Sequence, residues 1–314
     1  MTVAVRPFEP GDAAQAAELL RHVEPAYLAT TESVLHQHQR EPERTRRRSW
    51  VALAGDELVG WATASFRWAR GPADYGRLFV AVREDQRGRG LGSELWARAE
   101  RHLLEHDAGT LATYVHADPA GARFVAVRGF RSASAEEVSV LDPAEAKLGQ
   151  LGALAEVKAG AGYRLVALSD VAGHERDLFS FYGDAGAWLP ASDPRNEVSF
   201  DDWRRQTLEN PLLAPEGSFV VIRDDRIVAL AWLLVDWDLR RAENEWTATL
   251  PELRQQGLAR LAKLAVIHWA AERGIREIVT GNDRDNIAML TLNQRLGYRQ
   301  LYVLDELERT VERR

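Results

Sequence analysis

Cysteine is absent from the 314 residues. That removes disulfides, thiolate metal sites and cysteine nucleophiles together, and a cytoplasmic setting is the simplest expectation. Positive charge is also in short supply: 40 Lys and Arg stand against 47 Asp and Glu, a formal charge of −7. Such a balance is unsuited to general binding of nucleic acid or anionic membrane, both of which select basic surfaces. Long hydrophobic runs are missing too. The longest, "IVALAWLLV" at 227–235, falls far short of a bilayer and reads as a buried strand. The opening "MTVAVRPFEPGD" carries charges and no apolar stretch, so no signal peptide is expected. The eight histidines show no His-Glu-x-x-His or other ligand spacing, and no metal is expected.

What is present is ordinary globular material, 46% hydrophobic and 28% charged, in a chain long enough for two domains. The chain also repeats itself. Arg87-x-x-Gly90-x-Gly92 returns as Arg254-x-x-Gly257-x-Ala259, a step of 167 residues. Gly129-Phe130 returns as Gly297-Tyr298 after 168, and Val59 as Val228 after 169. Three landmarks in one register imply two homologous halves. They are placed at 1–150 and 151–314, with the join inside 141–163, whose "AGAGY" end reads as a linker or loop.

Each half has the same order of elements. A helical start leads to a hairpin around "AGDE" or "RDDR", then a strand (77–82; 243–250), the glycine loop, a helix, a strand, a helix and a last strand. Leu91, Leu95, Ala99 and Leu103 share one helix face, as do Leu258, Leu261, Ala265 and His268. The fold class is therefore α/β, a mixed, mostly antiparallel sheet flanked by helices in each half.

A helix leaves its first N–H groups unpaired and carries positive partial charge there. A preceding loop without side chains lets a phosphate reach them. Gly88, Gly90 and Gly92 supply that access in the first half, with Arg87 and Arg89 adding charge. Gly257 and Ala259 do so in the second, with Arg254, Arg260 and Lys263 near the loop or on the first helical turn. The plainer alternative for either loop is a tight turn that needs positive φ. A dinucleotide loop would follow the first strand as G-x-G-x-x-G, but these loops follow several strands and "RQQGLA" lacks the G-x-G; a nucleoside-triphosphate loop would end in Gly-Lys-Ser/Thr, which neither copy has.

Arg-x-x-Gly-x-Gly/Ala at a strand–helix junction, followed about 40 residues later by a helix ending in Gly-Phe or Gly-Tyr, resembles the GNAT N-acetyltransferase superfamily. "TGNDRDNIAMLTLNQRLGY" (280–298) is especially similar to that family's second cofactor motif. The resemblance covers both halves, as in tandem GNAT proteins. It implies acetyl-CoA as donor and an amine as acceptor, with direct attack rather than an acyl-enzyme. By position it assigns the pyrophosphate to Arg87, Gly88, Arg89, Gly90, Leu91 and Gly92, and to Arg254, Gln255, Gln256, Gly257, Leu258 and Ala259. It also gives Asn286 a cofactor contact, with Asp118 as its first-half counterpart; a helix N-cap is the alternative for both. The family's general-acid tyrosine is replaced by Val125 and Asn293, so Asn293 is expected to bond the cofactor's sulfur or pantetheine, and Tyr302, Tyr182 and Tyr114 are candidate substitutes.

A carboxylate on the strand before the loop commonly accepts the amine's proton in that family. In "RRAENEWTATLPE" (240–252), Glu243, Glu245, Thr247 and Thr249 are expected on one strand face. Glu245 is the candidate base and Glu243 the reserve, while Asp236 and Asp238 are expected to add negative charge beside the cleft; the alternative makes all four solvated carboxylates. Leu78 and Gly76 replace these glutamates in the first half, which is therefore expected to bind acetyl-CoA without turnover or to act as scaffold. Trp188 and Trp203 are candidates for an acceptor-pocket wall, whereas Trp61, Trp232, Trp246 and Trp269 read as core. The arginines of 40–50 read as a solvated helix end. The partner expected is a small-molecule amine, bound by a monomer or homodimer. An acyl-CoA-binding protein that has lost its chemistry, or a protein or peptide N-acetyltransferase, are the alternatives.

Overall fold

The computed structural model describes residues 3–67, 72–116, 119–146, 149–186 and 198–312. It divides into two compact units: the described parts of 1–136, 191–206 and 303–314, and those of 137–190 and 207–302. Strands β6 (Arg131–Leu141) and β12 (Arg299–Thr310) each run across that division.

In the first unit, β1 (Val3–Pro7), β2 (Arg48–Ala54), β3 (Glu57–Phe66) and β4 (Tyr75–Val82) pair antiparallel in that order. β5 (Thr110–His116) then runs parallel to β4 and antiparallel to the Leu304–Thr310 stretch of β12. The alternation of a strand feeds two cores. Trp50, Ala52, Ala62 and Ala64 pack toward α3 (Leu91–Leu104), whose expected face of Leu91, Leu95, Ala99 and Leu103 is buried. Val51 and Trp61 pack on the other side with α1 (Ala13–Val23) and α2 (Thr31–Arg40). Gly60 lets α3 approach closely, since a Cβ there would stand 2.9 Å from Leu95 Cδ1. α4 (Pro119–Ala126) follows β5.

Glu306 of β12 fastens the last strand of this unit. It accepts from Arg77 Nη2 at 2.9 Å, Arg67 Nη2 at 3.1 Å and Ser134 Oγ at 2.9 Å. Burial opposes its charge, but Arg77, Ser134 and Arg67 together hold its carboxyl below the ordinary 4.5. Glu306→Ala leaves two guanidinium groups without their shared acceptor and is expected to cost about 3 kcal/mol, read from the midpoint of urea unfolding. Because the folded pKa is depressed, the wild-type contribution is present above the unfolded pKa and fades as pH falls through the folded one. The alanine variant therefore converges on wild type in acid.

The second unit repeats the arrangement. β7 (Arg164–Ala167), β8 (Phe219–Arg223), β9 (Arg226–Asp236) and β10 (Arg241–Thr249) are antiparallel, and β11 (Glu277–Asp283) is parallel to β10. α8 (Leu258–Glu272) lies against β8, β9 and β10. Its Leu258, Leu261 and Ala265 are buried; His268 is half-exposed and pairs with Glu272 at 3.5 Å instead of joining that face. Trp61, Trp232 and Trp269 are core residues as expected. α6 (Glu175–Gly186) sets Phe181 and Tyr182 edge-on against Trp246. α9 (Ile287–Leu296) ends at Gly297, in the left-handed conformation.

The stretch expected to hold the join carries a helix, α5 (Gln150–Gly160), and its "AGAGY" end, read as a linker or loop, starts inside that helix and turns at Ala161 and Gly162. Alanine-rich sequence without an apolar stripe looks like a linker but propagates a helix well. Trp203, at the end of α7 (Phe200–Trp203), is fully buried and tilted against Phe200, a core position rather than a pocket wall. Trp188 and Asp118 lie outside the described residues.

Candidate acetyl-transfer site

Both glycine loops open onto a helix N-terminus in the manner the sequence implied. Gly90 caps α3 at φ 84° and Gly257 caps α8 at φ 76°, and Gly88 also lies in the left-handed region at φ 75°. No atom stands within 4 Å of a Cβ built on Gly88 or Gly90, so open space borders that loop. A turn requirement explains the φ values but not the clearance.

Beside the first loop, β4 and β5 pair only over Tyr75–Arg77 and Thr110–Ala112 and then part. The gap holds a cavity of about 590 Å³ whose walls include Arg87, Gly88, Gly90, Gly92, Trp96 and Val125. Trp96 Nε1 is buried there without a partner among the described residues, leaving a donor for an amide-bearing ligand. Arg87 donates from Nε to the Val82 carbonyl at 3.0 Å, and Arg89 from Nη1 to Gln86 at 3.1 Å. Val125 contributes only an apolar wall. Tyr114 also lines this cavity, its hydroxyl pushed up to about 12 chiefly by burial.

The second loop has a different neighbourhood. Gln255 adopts φ 61°, and Gln256 accepts from the Tyr163 hydroxyl at 2.8 Å. Arg254 is exposed. Arg260 turns to Gln150 of α5. Lys158 of α5 brings its Cε to 4.0 Å from where a Cβ on Gly257 would stand, a cation beside the helix mouth that sequence reading missed. It lies in the stretch expected to hold the join between the halves, 99 residues from Gly257, with no local signal to connect them.

Lys263 does not serve that mouth. It is 1% exposed, and its Nζ stands 2.5 Å from Asn244 Oδ1 and 5.0 Å from the centre of the Tyr298 ring. Desolvation lowers its pKa to about 7. Asn244 in turn donates to the Trp232 carbonyl at 2.8 Å and accepts from Thr247 Oγ1 at 3.1 Å, while Thr280 Oγ1 donates to its backbone carbonyl at 3.0 Å. This polar knot sits at a β-bulge. Glu243 faces Leu234 and Trp246 faces Trp232, so Asn244 and Glu245 together oppose one residue of β9. The corresponding β3–β4 ladder is unbroken, and Leu78, at Glu245's repeat position, is buried core.

The bulge corrects the expected face. Glu243 shares its side with Trp246, and Thr247 and Thr249 lie on the other. Parallel pairing of β10 with β11 also stops at Glu243. Glu245 is therefore presented where the two strands cease to be joined. Its side chain is exposed at that point, and desolvation pushes its carboxyl up. Asp236 is buried; its Oδ1 accepts from the N–H groups of Asp238 and Leu239, both at 3.1 Å, so it closes the β9–β10 turn instead of lining a cleft.

Asn286 caps α9, accepting from the Met289 N–H at 3.2 Å. Asn293 is 1% exposed and donates to Asn282 Oδ1 at 2.6 Å; its own Oδ1 has no partner among the described residues. Two arginines of 40–50 are in ion pairs: Arg44 meets Asp202, far along the chain, at 2.5 Å, and Arg47 meets Glu41 at 3.0 Å.

These paired loops, splayed strands and strand–helix endings match a known pattern. The acetyltransferase (GNAT) family model covers residues 15–130 and again 179–298. The chain belongs to the GNAT family. It is a tandem GNAT protein and an N-acetyltransferase by that membership. A mycothiol acetyltransferase of Kytococcus sedentarius is 28% identical over 93% of this chain and 90% of its own length. Another from Streptomyces griseus is 26% identical over 37% of the chain and 39% of its own length. Among solved structures, a tandem GNAT protein from the clavulanic acid biosynthesis pathway superposes with TM-score 0.76 at 20% identity, covering 98% of both chains. A GNAT protein from Sphaerobacter thermophilus gives 0.68 at 18%, covering 98% of this chain and 95% of its own. At those identities the structures speak to fold. No helix among the described residues is long and apolar enough to cross a membrane.

Proposed function

We propose that this GNAT protein uses acetyl-CoA as donor and transfers its acetyl group directly to a primary amine of a small molecule, with the second unit as the reaction centre. The observation that carries this reading is Glu245 on the bulge of β10, a carboxyl held above its ordinary pKa by desolvation at the point where β10 leaves β11. A carboxyl with a raised pKa is a stronger base than a glutamate at the ordinary value. Glu243, on the other face, is the reserve. The relationship to mycothiol acetyltransferase supports a small-molecule acceptor.

The residues suit the donor. In the first unit, the amides of Gly88, Gly90, Leu91 and Gly92 with Arg87 and Arg89 would hold the pyrophosphate, and the cavity of about 590 Å³ has room for the pantetheine arm. In the second, Arg254, Gln255, Gln256, Gly257, Leu258, Ala259 and Lys158 flank the mouth, and the unpartnered Oδ1 of Asn293 offers an acceptor to the arm. Acetyl-CoA supplies the activated thioester. A thiol's pKa near 8.5 lets the leaving sulfur take its proton from water, so Val125 and Asn293 in place of tyrosine do not stop the reaction.

Those replacements do favour one other reading, an acyl-CoA-binding protein without turnover. Thiol release in the presence of acetyl-CoA and a broad amine panel separates the two; binding without release on every amine selects the second. Loop variants assign the halves. Gly257→Val strains a left-handed position and crowds the α8 mouth, and is expected to lower turnover at least roughly a hundredfold. Loss from Gly90→Val alone would move the chemistry to the first unit.

A further inference from the structure

The first unit holds a second cavity, of about 170 Å³, beside the larger one. Phe79 and Tyr114 are walls common to both. The remaining lining of the small cavity includes Glu24, Gln37, Trp61 and Thr63. One close pair joins the two spaces: Glu24 lines the small cavity, His116 lines the large one, and Glu24 Oε1 stands 2.7 Å from His116 Nε2. Both side chains are largely buried, at 16% and 25% exposure. The carboxylate has no capping role at the end of α1, where the unpaired groups are carbonyls that need donors. Arg47, the cation of the small cavity, is neutralised by Glu41.

We propose that the first unit is a second acetyl-transfer centre, selective for short amines, in which the Glu24–His116 pair accepts the proton of the bound ammonium. The proposal rests on the acetyl-CoA reading above, and it differs from it in centre, base and acceptor size. A water occupies about 30 Å³, so the small cavity admits an amine of roughly six non-hydrogen atoms. The Glu24 carboxylate and the aromatic walls Trp61, Phe79 and Tyr114 suit an ammonium group on a short apolar stem. The Glu24–His116 pair takes one proton, leaving a neutral amine. The amine nitrogen then bonds to the thioester carbon reached through the larger cavity, and the carbon–sulfur bond breaks with its electron pair on sulfur. The second nitrogen proton goes to sulfur through water, and the pair returns the first to solvent. The products are an amide and a free thiol. No base lies on β4 of this unit because the base comes from the end of α1 and the end of β5.

The test is the ratio of thiol-release rates with a short amine (ethanolamine) and with bulky amines (an aminosugar and an aminoglycoside), measured on the full chain. Misfolded protein scales both rates and leaves the ratio unmoved. Glu24→Gln and His116→Gln are each expected to lower the short-to-bulky ratio at least roughly tenfold, and Glu245→Gln to raise it at least roughly a hundredfold. A ratio within about twofold of wild type in both Glu24→Gln and His116→Gln overturns the second centre. So does a wild type that releases thiol with bulky amines but none with ethanolamine; turnover of bulky amines then still stands as evidence for the first reading. Ethanolamine turnover lost only in Glu245→Gln leaves one centre, in the second unit.

Discussion

Glu245→Gln is expected to lower kcat for bulky amines by roughly 10²–10⁴-fold while leaving the apparent acetyl-CoA affinity nearly unchanged. Glutamine fills the same volume but cannot take a proton, and nothing about the two glycine loops is altered. The wild-type pH profile should carry an acid limb: activity falls as pH drops through the Glu245 pKa, which stands above the ordinary 4.5. The variant's residual activity should lose that limb. Stability moves the other way. A carboxyl whose folded pKa is raised binds its proton more tightly in the folded state, so ionising it at neutral pH costs stability. The glutamine variant is therefore expected to be at least as stable as wild type at pH 7, by urea denaturation. An activity loss accompanied by a falling unfolding midpoint would indicate a structural role instead and remove Glu245 from the chemistry.

The parts of this site that sequence exposes are those set by backbone demands. Gly88, Gly90 and Gly257 are legible because a left-handed φ disfavours residues with a side chain, and the repeat doubles the signal. The hairpins, the α3 face and the buried strand at 227–235 are legible from periodicity. The bulge is not. Simple alternation put Glu243, Glu245, Thr247 and Thr249 together, and one inserted residue separated Glu243 from the threonines. Nothing in "AENEWT" marks the insertion, because what holds it, Lys263, comes from a helix nearly 20 residues on and looked like a loop-side cation. The Glu24–His116 pair was equally hidden, since it joins the first helix to the fifth strand and has no counterpart at the repeat spacing. Duplication thus reveals what the halves share, and the structure reveals where they diverged.

Lys263→Met separates the roles of charge and shape at the bulge. Between pH 7 and 10 the unfolded chain holds the lysine proton, whose ordinary pKa is 10.5, whereas the folded lysine releases it near 7. The unfolded state then binds one proton more, so wild-type stability climbs with pH across this window, with a slope approaching about 1.4 kcal/mol per pH unit. Methionine keeps the length and apolar stem of the side chain and removes that slope. The variant should be as stable as wild type or more so at pH 7, because it has no ammonium to desolvate. It also deprives Asn244 Oδ1 of one of its two donors, leaving Thr247 alone to orient the amide beneath the bulge. Glu245 is then less firmly placed, and kcat should fall roughly tenfold to a hundredfold. Asn244→Ala attacks the same knot from the other side. If the pair acts through the bulge, the double variant falls no further in kcat than the worse single one. A pH slope that survives in Lys263→Met, or losses that multiply in the double variant, would detach the buried lysine from the position of Glu245.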